Sequence, residues 1–361
     1  MIDFTLPALG ADMTQGKLLE WKVKPGDAVI RGQVVAVVDT TKAAVDVEIW
    51  QDGTVAQLLV RPGETVPVGT PMARLLAPGE LPSSRRRVSP AAKQRATVLG
   101  IALDAVSGTG PEGAVTLEDV ERASAATTPS PVAAAASPAG RGADMRVAIG
   151  AAMSRSKREI PHYYLGESVP MARAQSWLES FNAGRSLPER LLMAVLPIKA
   201  VALALRKFPE FNGFYRNGTF EAGTGIHVGV AIALRQGGLV APALHDAADK
   251  SLPTLMQELS DLVLRARNAM LRSSELSDPT VTVTNLGDQG VESVFGVIYP
   301  PQVALVGLGR VSLQPWVEGE RVQAVPVMRA TLSADHRVSD GHRGGLFLSE
   351  VRERLQHPET L

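Results

Sequence analysis

The sequence predicts three modules of different class in one chain: a small all-β sandwich, a short α-helical module and a large α+β domain. Three observations predict this. A Pro-Gly turn pattern repeats at a fixed offset within residues 1–78, an alanine- and proline-rich stretch at 124–144 can drive no core, and beyond it helical and strand-like apolar runs alternate. At about 150 residues per domain, 361 residues accommodate two or three units. Lys+Arg and Asp+Glu are both 37, so net charge is zero and nothing in the overall charge points to a nucleic-acid partner. Hydrophobic residues make up 45% and aromatics only 4%, which predicts a sizeable but aliphatic core. The absence of cysteine excludes disulfides, zinc-thiolate sites, iron–sulfur sites and a cysteine nucleophile, and fits a reducing compartment. No run of 18 apolar residues occurs and Met1–Phe4 opens no signal peptide, so the expectation is a cytoplasmic protein with no membrane span.

The first module, 1–78, contains the repeat. Val23-Lys24-Pro25-Gly26-Asp27 recurs as Val60-Arg61-Pro62-Gly63-Glu64, and Gly32 recurs as Gly69, each 37 positions on. Between the turns Val45–Ile49 alternates apolar and polar residues and Val34–Val38 is a short apolar run, both strand patterns. Two like halves of short strands predict a β-sandwich with pseudo-two-fold symmetry. Between the halves, Asp39-Thr40-Thr41-Lys42-Ala43 interrupts two β-rich runs and puts Lys42 at a hairpin apex. A generic turn lysine is merely solvated, but this whole segment resembles the lipoyl domain of 2-oxo acid dehydrogenase complexes, whose D/E-x-x-K-A hairpin carries lipoate on its lysine. The resemblance implies lipoate bound covalently to Lys42, a long arm that supplies thiol chemistry to a chain without cysteine. Biotin carriers are similar but flank the lysine with methionine, where this chain has Thr41 and Ala43. The family's commoner form has an acid at the position of Thr41.

A short break at 79–84 leads to the second module, 85–123. Five basic residues and no acid fall between 85 and 95. Ser89-Pro90 reads as the N-cap and first residue of a helix to about Leu99, stopped by Gly100. A second helix is expected near Thr116, with Glu118 and Asp119 in its first turn. The loop Gly108–Gly113 could by itself suggest a phosphate cradle, but no strand of a βαβ unit precedes it. With that loop and Glu118-Asp119-Val120, the module resembles the peripheral subunit-binding domain of the same complexes. So short a module has little core. The resemblance implies docking by charge, with Arg86, Arg87, Lys93 and Arg95 meeting acidic groups on a partner.

Residues 124–144 read as an extended, semi-stiff linker, reaching roughly 60 Å at about 3.1 Å per residue. In the third module, 145–361, helical periodicity marks 191–207 and 252–271, and strand-like runs mark 225–234, 281–284 and 303–309. Neither a P-loop nor a dinucleotide fingerprint is present, so nucleotide hydrolysis and hydride transfer have no motif. Of the six histidines, at 162, 227, 245, 336, 342 and 357, most are expected to be structural. His336 differs because it lies in Asp335-His336-Arg337-Val338-Ser339-Asp340-Gly341. D-H-R-x-x-D-G is the active-site motif of the chloramphenicol acetyltransferase-like fold, which the acyltransferase cores of 2-oxo acid dehydrogenase complexes share. The resemblance implies that His336 is the general base toward a thiol, that Asp340 orders the active-site loop by ionic contact, and that Arg337 is structural. Val283-Thr284-Asn285-Leu286-Gly287 matches a second landmark, in which a hydroxyl residue, usually serine, donates to the oxyanion of the tetrahedral intermediate; here that is Thr284. Met153–His162 and Tyr299–Leu305 match two further family segments.

Three modules in this order resemble the dihydrolipoamide acyltransferase component of 2-oxo acid dehydrogenase complexes over nearly the whole ordered chain. The resemblance implies transfer of an acyl group, acetyl first, from lipoyl-Lys42 to coenzyme A, in a pyruvate- or acetoin-type complex. It implies a decarboxylase and a flavin-dependent dihydrolipoamide dehydrogenase as partners. It also implies a trimer-based core of 24 or 60 copies, with the active site between subunits. No metal, nucleic acid or membrane is expected. The alternatives are a branched-chain member and a non-catalytic scaffold that keeps the lipoyl and docking modules; intact His336 and Asp340 stand against the second.

Overall fold

The computed structural model describes residues 1–9, 13–40, 44–77, 89–99, 110, 116–125, 138–234 and 238–361. Short strands form the first module: β1 (Ile2–Thr5), β2 (Gln15–Trp21), β3 (Ala28–Val29), β4 (Val34–Asp39), β5 (Ala44–Glu48), β6 (Gly53–Leu58), β7 (Thr65–Pro67) and β8 (Pro71–Leu76). They make two facing sheets, β1–β8–β6–β3 and β5–β4–β2–β7. The 37-residue offset reappears in the backbone. Gly26 and Gly63 take φ of 98° and 93°, and Gly32 and Gly69 take 83° and 86°, left-handed values that favour glycine. Gly26 donates its N–H to the carbonyl of Val55, and Gly63 donates to that of Leu18, each at 2.7 Å, so the two halves share one bonding scheme. Phe4, Leu18, Val38, Val45, Val47, Met72 and Leu75 are wholly buried between the sheets. Asp39 pairs with Ala44 and closes the predicted hairpin, while Lys42 lies outside the described residues.

The second module is a pair of short helices, α1 (Pro90–Leu99) and α2 (Leu117–Ala125). The Ser89 hydroxyl accepts the Ala92 N–H at 3.2 Å, and Asp119 accepts both the N–H and the hydroxyl of Thr116, at 3.0 and 2.9 Å. The first is the N-cap expected from the sequence, and the second closes the start of the helix expected near Thr116. Ala92, Ala96 and Val120 are buried where the helices meet. Apart from Gly110, the glycine-rich loop lies outside the described residues.

The third module opens with α3 (Pro138–Glu159), which starts inside the stretch that composition assigns to the linker. Pro138 stands at the first helical position, where its ring costs no hydrogen bond. After it come β9 (His162–Pro170), α4 (Ala172–Asn182), α5 (Val195–Lys207), β10 (Gly213–Arg216), β11 (Thr219–Ala222), β12 (Val228–Val230), β13 (Ile232–Ala233), β14 (Leu239–Val240) and β15 (Ala243–Leu244). The chain then runs through α6 (Leu252–Arg267), β16 (Leu271–Arg272), α7 (Ser273–Ser277), β17 (Val281–Asn285), β18 (Ala304–Glu318), β19 (Arg321–Asp335) and α8 (Gly341–Gln356). The main sheet has the order β15–β12–β17–β18–β19–β9, parallel across β12, β17 and β18 and antiparallel elsewhere. The predicted strand 225–234 is two strands, because Val228–Val230 pair with β15 and β17 while Ile232–Ala233 pair with β14.

Helices α5, α6 and α8 supply the core against this sheet, and every residue of α5 from Val195 to Leu205 is buried. Lys199 is among them. Its ammonium donates to the carbonyls of Ala247, Ala248 and Lys250, which replace water, and burial lowers its pKa. Beyond the sheet, β18 and β19 continue as a long hairpin arm on which Leu313, Val317 and Val322 are 72%, 68% and 70% exposed. No helix among the described residues is long and apolar enough to cross a membrane.

Candidate active site

The last five residues of β19, Thr331–Asp335, are all buried, and the chain turns sharply out of the sheet after Asp335. An ion pair makes that turn. The Asp335 carboxylate accepts the N–H of Arg337 and three bonds from its guanidinium, at 2.6–3.1 Å, while the guanidinium lies 3.9 Å over the Tyr215 ring. A wholly buried carboxylate is tolerable because its charge and lone pairs are met this completely. Arg337 is thereby committed to structure, and it is the Asp335 side chain that holds its pKa up.

His336 stands between these two residues with its ring exposed. Its own N–H donates to the Pro161 carbonyl at 3.0 Å, and the Tyr163 ring meets the imidazole edge-on, centroids 5.2 Å apart. The Tyr163 hydroxyl in turn lies 2.8 Å from Ser339 Oγ, so one side chain braces both ends of the turn. Asp340 is the N-cap of α8, its carboxylate accepting the Arg343 N–H at 2.9 Å. That bond holds the Asp340 carboxyl below the usual carboxylate range. Within one protomer, then, the Asp340 carboxylate bonds a backbone N–H of the first turn of α8.

His162 anchors the segment beneath. Nδ1 lies 2.8 Å from the Ile160 carbonyl, and Nε2 accepts the Ile298 N–H at 3.2 Å, an arrangement that requires the neutral ring protonated at Nδ1. Burial lowers its pKa below the ordinary value. Below about pH 6.5 the unfolded chain therefore binds a proton that the folded chain refuses, and stability falls as acid is added. In His162→Gln the fall in unfolding free energy from pH 6.5 toward 5, followed by denaturant titration, is expected to be shallower than in the parent.

Thr284 sits half-buried near the end of β17, beside Gly307 on β18, which in turn faces Thr331 on β19. His336 lies five residues beyond Thr331. β19 carries four of these steps, to Asp335, which at about 3.3 Å per residue is roughly 13 Å along the strands, with two strand spacings of about 4.8 Å across. Within one protomer His336 and Thr284 cannot reach the same small acyl group. The Tyr299–Leu305 segment holds β17 in place: Gln302, buried, accepts the Thr282 hydroxyl at 2.7 Å and donates to the Pro279 carbonyl at 2.9 Å.

Of the other candidates, Lys42, Arg86 and Arg87 lie outside the described residues. Lys93 and Arg95 are exposed on α1, and Arg95 is 3.4 Å from Glu121 of α2, an ion pair within the module itself. His227 and His245 contact each other and Asp246 and Asp278, away from the His336 turn in sequence and sheet position. No cluster able to hold a metal occurs among the described residues. Tyr163 and Ser339 carry no motif of their own; the only signal for Tyr163 is its place just after Ile160-Pro161-His162.

Comparison with known proteins supplies the context for this geometry. The catalytic-domain model of the 2-oxoacid dehydrogenases acyltransferase family matches residues 141–361. A model described as biotin-requiring enzyme, covering biotin and lipoyl domains, matches 2–75, and one described as e3 binding domain matches 86–121. Over all of its length the chain is 27% identical to the dihydrolipoyllysine-residue acetyltransferase component of the pyruvate dehydrogenase complex of Rickettsia felis, covering 99% of that protein. It is 28% identical, again over all of its length and 99% of the relative, to the corresponding component of the acetoin cleaving system of Bacillus subtilis. The solved cubic core of the pyruvate dehydrogenase multienzyme complex superposes with a TM-score of 0.56 at 25% identity, over 60% of this chain and 90% of that one.

Proposed function

The chain belongs to the 2-oxoacid dehydrogenase acyltransferase family, and from that premise we propose that it moves acetyl groups between a lipoyl-lysine arm and coenzyme A at a site shared by two copies of the chain. The observation that carries the shared site is the strand register, which separates His336 from Thr284 within one protomer. The exposed Leu313, Val317 and Val322 of the hairpin arm supply apolar surface for association, and a cubic core, as in the solved relative, is the proposed assembly.

A lipoyl group on Lys42 would supply the thiol chemistry, and the strand pair closed at Asp39–Ala44 brackets the position of that attachment. At the catalytic site, His336 takes the proton of the coenzyme A thiol as the sulfur attacks the thioester carbonyl, and returns it to the departing thiol. Thr284 of a neighbouring copy donates its hydroxyl hydrogen to the carbonyl oxygen as negative charge grows there. Tyr163 and the Asp340 cap hold the His336 turn in position. The helical module would dock dihydrolipoamide dehydrogenase through its basic face, a decarboxylase would load the arm, and the cytoplasm is the compartment proposed.

The test is complementation. Thr284→Ala is expected to lower transfer from acetyl-CoA to dihydrolipoamide by about 10²–10³-fold, and Thr284→Ser to keep most of it. Co-expressed at equal amounts, Thr284→Ala and His336→Ala chains should recover about a quarter of parental activity, because some interfaces then unite an intact Thr284 with an intact His336. No recovery would place the site within one chain. Acetyl-CoA should also exceed isobutyryl- and succinyl-CoA in kcat/KM. For the docking module, Arg86→Ala, Arg87→Ala and Lys93→Ala together should weaken dehydrogenase binding and flatten its salt dependence, with the on-rate affected most. Surface plasmon resonance at two ionic strengths measures both.

A further inference from the structure

The sheet of the sandwich that carries the Lys42 hairpin ends in an edge strand, β5, and that edge is covered. β16 of the acyltransferase domain adds to it in parallel, Leu271 beside Val45 and Arg272 beside Asp46. An edge strand presents unpaired backbone groups that any complementary strand can read, so this contact uses the general mode of strand addition. Side chains select the register. The Glu48 N–H donates to Ser273 Oγ at 3.1 Å, and the Glu48 carboxylate accepts the N–H of Ser274 at 3.3 Å and its hydroxyl at 2.5 Å. Leu276 packs against both hydrophobic cores.

The acyltransferase side of this contact is built in advance. Glu275, 6% exposed, accepts a two-pronged bond from Arg265 at 2.6 and 2.6 Å, and the N–H of Arg272 at 2.9 Å. These bonds fix the segment 271–277 without help from the sandwich. Among the described residues the polar part of the contact is small: two paired positions and three hydrogen bonds to side chains, with Leu276 packed beside them. Between separate proteins it would be weak. Here a tether of roughly sixty residues keeps the two modules at millimolar effective concentration, enough to populate a weak contact and still let it open.

We infer that Leu271–Ser274 is a reversible dock at which the acyltransferase domain receives the sandwich module of its own chain, reading the β5 edge and Glu48. Given the lipoyl role proposed for Lys42, this dock brings the acyl-carrying module to the catalytic domain and leaves it free to depart for the partner enzymes. Ala44 opens β5 two residues after Lys42, so the docked strand is the one that leads directly from the proposed attachment point.

The chain has no cysteine, so introduced thiols report without background. In full-length chain carrying Asp46→Cys and Arg272→Cys, a short bis-maleimide should join the two positions within single chains, as located by peptide mass mapping. Adding Glu48→Lys should slow that linking about tenfold or more, since it removes charge-assisted hydrogen bonds and leaves the strands intact. No 46–272 link, a link formed only between chains, or a rate indifferent to Glu48→Lys would each overturn the dock. Linking should occur whether or not the chain is lipoylated, and intact mass reports lipoylation separately. Failure of the dock and failure of the lipoyl reading are therefore told apart.

Discussion

Replacing His336 with alanine is expected to lower acetyl transfer from coenzyme A to free dihydrolipoamide by about 10²–10⁴-fold, the range that a positioned histidine base contributes. The structure makes the substitution clean. The imidazole is exposed and fills no core, and the turn is held by the Asp335–Arg337 pair, the Asp340 cap and the Tyr163–Ser339 bond. Alanine keeps the His336 backbone N–H, bonded to Pro161, and gives up only the edge contact of the imidazole with Tyr163. Assembly, followed by sedimentation, should therefore be parental while transfer collapses. Transfer at the parental rate would remove the enzyme reading and leave the scaffold in its place.

Substituting Lys42 by arginine should abolish turnover of the reconstituted complex and leave transfer to free dihydrolipoamide untouched. Arginine retains the charge but offers no primary amine for amide formation. The hairpin closes through Asp39 and Ala44, and the core beneath is Val38, Val45 and Val47, none of which the substitution touches. The catalytic machinery lies on strands of a different sheet. Intact mass before and after incubation with a lipoyl ligase gives an independent reading: the parent gains one lipoyl group and Lys42→Arg gains none. Loss of both activities together would contradict separate carrier and catalytic modules.

Much of this was legible in the residues because it is local. The Pro-Gly repeat demanded left-handed glycines at Gly26 and Gly63, and the structure has them there. Ser89 and Thr116 announced their helices because a cap is satisfied within three residues. Linker composition was a poorer guide. A proline serves the first position of a helix as well as a spacer, and α3 begins at Pro138. The run 225–234 divides into two strands because its halves find different partners, a matter of pairing that apolar content does not encode.

By itself, the sequence determined the three-module order, the strand pair on either side of Lys42, the absence of any cysteine thiol and the turn that presents His336, since each follows from the residues themselves. Only the tertiary structure decided that His336 and Thr284 stand far apart in one protomer, since strand register across β17, β18 and β19 sets that distance. It alone brought Tyr163 against His336 and Ser339 across 176 positions, and seated Glu48 on Ser274 across 226. Such contacts are chosen by the closing of sheets and the packing of cores, where every residue's partner depends on the placement of all the others.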